Sequence, residues 1–197
     1  MTFFVQFLSA MLTALFIENI IFTRALGTSW MFYLIRNPKE LLKYTGLLMV
    51  VTTLSGLLAY PLRGFVYNSE YRHLLLPMLY ILAMAIVYIA IYFFIKYALP
   101  KQKELFGLNL GVAVFNCATL GGLLVASNER LDLLSTLGYG IGLSLGFGFA
   151  TLLLGYGLTR LEYCRVPKIF RGVPIALIYL GLLSLAFYGL VGHQLPT

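Results

Sequence analysis

The sequence predicts an all-α membrane protein with six transmembrane helices arranged as two inverted three-helix repeats. Three observations predict it: a mean hydropathy of +0.90 with only 11% charged residues, six separate apolar runs, and landmarks that recur between the two halves. A soluble domain carries about 25% charged residues, and a helix needs roughly 20 apolar residues to cross about 30 Å of hydrocarbon. The runs lie at about 3–27, 41–61, 73–97, 105–126, 133–157 and 173–192. They occupy most of the 197 residues, which are expected to form a single integral membrane domain. No room is left for a soluble catalytic domain, so any cofactor must lie between helices.

The first run has no basic stretch before it and no small-residue cleavage site after it, so it is expected to be a retained helix and not a signal peptide. The connections sort by charge. Ten of the 14 basic residues fall in alternate loops: Arg36, Lys39 and Lys43 after the first span; Lys96, Lys101 and Lys103 after the third; Arg160, Arg165, Lys168 and Arg171 after the fifth. Arg63, Arg72 and Arg130 belong to the opposite side, where Glu70, Glu129 and Asp132 accompany them. The positive-inside rule then places the three basic loops in the cytoplasm and both termini outside. The formal charge of +7 is spent on this topology, and no basic patch is left over for a nucleic acid.

The repeats are expected at about 1–97 and 98–197. Asn19 and Asn116 lie 97 positions apart, as do Pro77 and Pro174, and Leu41-Leu42 with Gly46 resembles Leu133-Leu134 with Gly138. Three spans per half is an odd number, so the second copy enters the membrane from the opposite side. In such folds the working site forms near the midplane, where broken helices of the two halves meet. A break is tolerated there only if the freed backbone is buried or lines a cavity.

Two places fit a break: Glu18-Asn19, followed by Leu26-Gly27-Thr28-Ser29, and Asn116-Cys117-Ala118-Thr119-Leu120-Gly121. A carboxyl, an amide and a thiol are costly in hydrocarbon, and their presence points to an electron or ion path. Asn19 and Asn116 have two readings: each satisfies backbone groups freed at a break, or each is polar glue between packed helices. Glu18 and Arg24 are six residues apart, about 240° around a straight helix. Either the helix breaks between them or each finds a partner elsewhere. Glu18 is a candidate for binding a cation or relaying a proton; the alternative has Arg24 snorkelling and Glu18 facing a neighbouring subunit.

The remaining features read as structure. Gly138, Gly142 and Gly146 form a stripe for close helix approach, with Gly140 and Gly148 widening it. No strand precedes these glycines and no lysine follows, so a phosphate loop is excluded. Tyr33, Tyr60, Tyr67, Tyr97 and Tyr156 sit near span ends, as in an interfacial belt. His73 and His193 lack metal-ligand companions at the usual spacing. Cys117 falls within a span and Cys164 in a basic loop, so they do not pair. Prolines and glycine shape the turn Val166-Pro167-Lys168-Ile169-Phe170-Arg171-Gly172-Val173-Pro174.

Three stretches resemble the RnfA/NqrE membrane subunits of the Rnf and Nqr ion-pumping electron-transport complexes. They are Glu18-Asn19 to Leu26-Gly27, Asn116-Cys117-Ala118 with Gly121, and Phe170-Arg171-Gly172 through Ala176-Leu177 to Gly181-Leu182-Leu183-Ser184-Leu185-Ala186-Phe187 and Gly189. The resemblance implies two homologous subunits of opposite orientation in a bacterial inner membrane, among other subunits of the complex. It further implies one cysteine from each half of each subunit, holding a shared [2Fe–2S] cluster, and electron transfer coupled to Na+ or H+ translocation. Cys117 is the iron ligand it assigns here. Ser29 occupies the other cysteine position, Trp30 replaces the neighbouring proline, and Glu18 replaces the first asparagine of the family pair. An alcohol is a hard, poorly deprotonated ligand for iron. The alternative function is therefore a divergent transporter or channel of the same fold without a cluster, or a structural membrane subunit. No nucleotide or flavin site is visible, so the chain is not expected to be catalytic alone.

Overall fold

The computed structural model describes residues 2–98, 110–164 and 166–191, and every regular element among them is helical. Helix α1 (Thr2–Leu12) runs into a π-helical turn, Thr13–Ile17, and is followed by two short helices, α2 (Ile20–Arg24) and α3 (Thr28–Leu34). Then come α4 (Pro38–Tyr67) and α5 (Arg72–Ala98). A short stretch α6, over 110–114, leads to α7 (Cys117–Asn128), α8 (Leu133–Glu162) and α9 (Val173–Val191). Residues 105–109 and 192 of the fourth and sixth predicted runs, with Lys101, Lys103, Arg165 and His193, lie outside the described residues.

Four helical segments are long and apolar enough to cross a bilayer: Pro38–Tyr67, Arg72–Tyr97, Leu110–Asn128 and Leu133–Leu161. Phe3–Ile17 and Val173–Gly189 are apolar but shorter. The first predicted run, 3–27, is thus not one helix. It breaks at Glu18-Asn19 and again before Thr28.

Helix α8 is the axis of the bundle. About two thirds of its apolar window, 67%, is buried inside the protein, against 28% for α5, whose surface is turned outward. Glycine makes that burial possible. A methyl group at Gly138 or Gly142 would collide with the backbone carbonyl of Phe7 or Met11, so α1 lies directly on the α8 backbone. Gly140 and Gly148 do not widen this stripe. They face α4, where added carbons would lie 3.3 Å from Thr53 and 3.0 Å from Thr45. Two stripes on one helix seat two neighbours at once.

Hydroxyls follow the α4–α8 seam. Thr52 Oγ1 donates to Leu48 O at 2.8 Å and lies 3.2 Å from Ser144 Oγ, and Ser144 donates to Gly140 O at 3.0 Å. Such bonds satisfy polar groups that hydrocarbon cannot. At the far end of α4, Arg63 donates to Leu131 O and lies over the Tyr60 ring, while Tyr67 hydrogen-bonds Ser127. Arg63 and Tyr67 therefore fasten helix ends together, with Tyr60 packed under Arg63 on the same helix, whereas Tyr33, Tyr97 and Tyr156 are exposed as a belt requires. Arg36 and Arg171, from two of the predicted basic loops, line one cavity at the opposite end of the bundle.

Candidate functional site

The first break is built around Asn19. The chain widens into the π turn, where Glu18 N–H donates to Thr13 O at 2.7 Å, and α2 restarts at Ile20. π turns inside helices often mark functional sites. Asn19 has no measurable exposure. Its Oδ1 accepts from Ile21 N at 3.1 Å and Phe22 N at 3.5 Å, capping α2. Its Nδ2 donates to Leu15 O and to Gly146 O, each at 2.9 Å. Both faces of the amide are thus used, which is what a buried asparagine at a break requires. The two sequence readings of Asn19 merge, since the same side chain caps the break and ties it to α8.

The second break is built around Asn116. Its Oδ1 accepts from Ala118 N at 3.2 Å, capping α7. Its Nδ2 donates to Tyr44 Oη at 2.6 Å, and Thr119 Oγ1 donates back across the break to Ala113 O at 2.7 Å. Tyr44 is buried, with its ring 5.4 Å from Phe147 and 6.3 Å from Trp30.

The two breaks meet on α8 at Gly146-Phe147. Gly27, which adopts φ +82°, leads into α3 directly against the second break. A carbon added to Gly27 would lie 2.9 Å from Ala118 Cβ, 3.0 Å from the Phe147 ring and 3.5 Å from Asn116 Nδ2. Only glycine combines that left-handed backbone with that proximity. Cys117 is the first residue of α7 and Ser29 the second of α3, and both are exposed.

Glu18 finds a partner within its own chain. Tyr139, buried on α8, donates its hydroxyl to Glu18 Oε2 at 3.3 Å. Glu129, in the turn between α7 and α8, also reaches this carboxylate. Partial burial, the hydrogen bond to Glu18 and the charge of Glu18 push the Glu129 carboxyl up to about 7, with Arg24 opposing. Glu18 and Arg24 line a cavity of about 390 Å³ together with Thr23, Ser184 and Phe187. Phe22 and Phe187 stack across its wall at 4.4 Å.

The donor set decides what metal chemistry this chain offers alone. Among the described residues there is no group of three or more His, Cys, Asp or Glu able to hold a metal. Cys117 supplies one soft donor and Ser29 a hard hydroxyl. One soft donor and one hard donor do not make a pair of thiolates within this chain. Cys164 lies elsewhere, exposed, with its thiol 3.6 Å from Arg160 O.

Glu18, Asn19, Asn116 and Cys117 all stand out in the sequence because each interrupts an apolar run. Tyr44, Tyr139 and Gly27 do not. Tyrosines and glycines are common in membrane helices, and only the fold shows which ones face a break. Glu129 reads as an ordinary loop charge.

These features define a multi-pass α-helical membrane protein whose polar centre is made by two asparagine-capped helix breaks. The chain belongs to the Rnf-Nqr family: residues 7–193 match the family described as "Rnf-Nqr subunit, membrane protein". It is 35% identical over 144 residues to a subunit of the ion-translocating oxidoreductase complex of Pasteurella multocida, covering 73% of this chain and 75% of that one. It is 28% identical over 185 residues to a subunit of the Na(+)-translocating ferredoxin:NAD(+) oxidoreductase complex of Acetobacterium woodii, covering 94% and 96%. The corresponding subunit of the Alcanivorax borkumensis ion-translocating oxidoreductase complex is 35% identical over 143 residues, covering 72% and 74%.

Proposed function

We propose that this chain is a membrane subunit of an Rnf/Nqr-type complex of the bacterial inner membrane, coupling electron transfer to Na+ or H+ translocation. Family membership and the complexes named for its relatives support this reading. The observation that carries the site assignment is the meeting of the two breaks at Gly146-Phe147, with Cys117 exposed beside them. Six spans in two inverted repeats accommodate it, because Asn19 and Asn116 perform the same capping task in the two halves. Both termini are then extracytoplasmic.

A homologous subunit of inverted topology is the proposed partner, among the other subunits of the complex. Cys117 would be this chain's ligand to a [2Fe–2S] cluster shared with that partner, a group that supplies one-electron transfer when bound. Within this chain, Cys117 is exposed at the start of α7. Asn116 and Tyr44 hold the helix start in place. Glu18, at the first break, belongs to the ion path, with Tyr139 fixing its carboxylate.

Ser29 favours a second reading: a transporter or channel of the same fold that has lost the cluster. Iron content and EPR spectra of the anaerobically purified chain with its co-purifying homologue, compared with Cys117→Ala, separate the two. Stoichiometric iron that disappears in the variant is the expected result. An intact complex without iron overturns the cluster assignment and leaves ion flux, abolished in Glu18→Gln, as the function to measure.

A further inference from the structure

We infer that the cavity between α3, α8 and α9 is a binding site for the phosphodiester of an anionic phospholipid headgroup. It encloses about 790 Å³, within the usual range of small-molecule sites, and lies where α8 ends and α9 begins. Two arginines from distant parts of the sequence, Arg36 after α3 and Arg171 before α9, line it, and no acidic residue stands among its described lining. Arg171 is anchored, since its Nε donates to Val166 O at 3.1 Å. Gly172, at φ +87°, turns the chain so that α9 starts at the cavity wall. Its first-turn amides at Val173 and Ile175 have no intrahelical acceptor, because they precede the first helical bond. Two arginines and a helix start lining one space match a phosphate.

The surroundings select a lipid over a soluble phosphate. Tyr163 and Ile169 are 86% exposed, and Phe170 and Val173 are also exposed, all beside the cations in the loop leading to α9. Aromatic and aliphatic groups flanking arginines at the end of a membrane helix form an interfacial anchor. The same lining includes Ile35, Leu158 and Ala176, apolar groups available to the first carbons of an acyl chain. Basic pockets between membrane helices are recognised sites for anionic headgroups. This inference stands apart from the redox assignment, since the cavity shares no residue with either helix break.

The test is lipid retention by the purified full-length chain. Native mass spectrometry would follow binding from vesicles of equal parts phosphatidylglycerol and phosphatidylcholine, and from phosphatidylcholine alone. Arg36→Gln and Arg171→Gln should each lower phosphatidylglycerol affinity about fivefold. Arg72→Gln, at the other end of the bundle, should leave it unchanged. Arg36→Lys and Arg171→Lys keep the charge and should retain most binding, which separates loss of the site from loss of folding. Equal retention by the glutamine variants and Arg72→Gln overturns the site. Inorganic phosphate binding in the same cavity, with no preference between the two vesicle types, overturns the lipid assignment.

Discussion

The two helix breaks use the same residue for the same task, yet they differ in how deeply they are held. Asn19 is fully buried and bonded to the α8 backbone, while Asn116 is half-buried and bonded to a side chain, Tyr44. The first break carries a carboxylate and is locked against the central helix. The second carries an exposed thiol. A charged group inside a bundle needs a rigid, satisfied cradle, whereas an exposed thiol is left open to whatever lies outside its own chain.

The largest effect should come from unlocking the first break. The backbone carbonyls of Met11, Ala14 and Leu15 lie against Gly142 and Gly146, and a backbone cannot retreat as a side chain can. Gly142→Val should cost at least about 3 kcal/mol, the upper range of overpacking, and abolish a monodisperse peak on size exclusion. Gly46→Ala, where nothing lies within 4 Å, should leave that peak intact and raise thermal stability by a few tenths to about 1 kcal/mol.

Next comes the asymmetry between the asparagines. Asn19→Ala removes a cap and strands the buried amides of Ile21 and Phe22, a loss of about 3 kcal/mol. Asn116→Ala removes a cap and one bond to Tyr44, about 1 kcal/mol. Thermal unfolding in detergent should therefore rank Asn19→Ala well below Asn116→Ala. Equal midpoints would show that the two breaks are held alike.

This asymmetry marks the limit of what the sequence discloses. The break positions are legible because Asn, Glu and Cys are expensive in hydrocarbon and stand out from their neighbours. The glycine stripe of α8 is legible from its four-residue period. What faces each stripe is not, since a period gives a face and not a partner. Gly140 and Gly148 serve α4, while Gly138, Gly142 and Gly146 serve α1 and the turn that follows it. The own-chain partner of Glu18 is also hidden, because Tyr139 lies 121 residues away and looks like any other aromatic in a span.

A smaller effect concerns the charge at the first break. Glu129 is held up to about 7, above its usual 4.5, so the folded chain favours its protonated form. The folded state then binds more protons than the unfolded state across that window, and stability falls as pH rises from about 4.5 to about 7. Glu129→Gln should flatten this falling limb in a plot of melting temperature against pH. Glu18→Gln should reduce it too, by removing the charge that helps raise Glu129. A limb unchanged in both variants would show that the carboxyls do not interact.

The smallest effect on stability, and the sharpest on chemistry, is expected at the second break. Cys117 is exposed, so Cys117→Ala should shift stability by no more than about 0.5 kcal/mol. One position further, Ala118 is fully buried against the approach of Gly27, and Ala118→Leu should be badly destabilising. That contrast between neighbours separates a residue kept for packing from one kept for what it presents to a partner. The complementary change is Ser29→Cys, which places a second soft donor at the start of α3. If the second break is a ligand-presenting surface, Ser29→Cys should raise the iron retained by the chain and its co-purifying homologue, with Cys117→Ala reversing the gain. Iron unchanged by both substitutions would show that these helix starts present no metal ligand, and would leave the charged first break as the working half of the molecule.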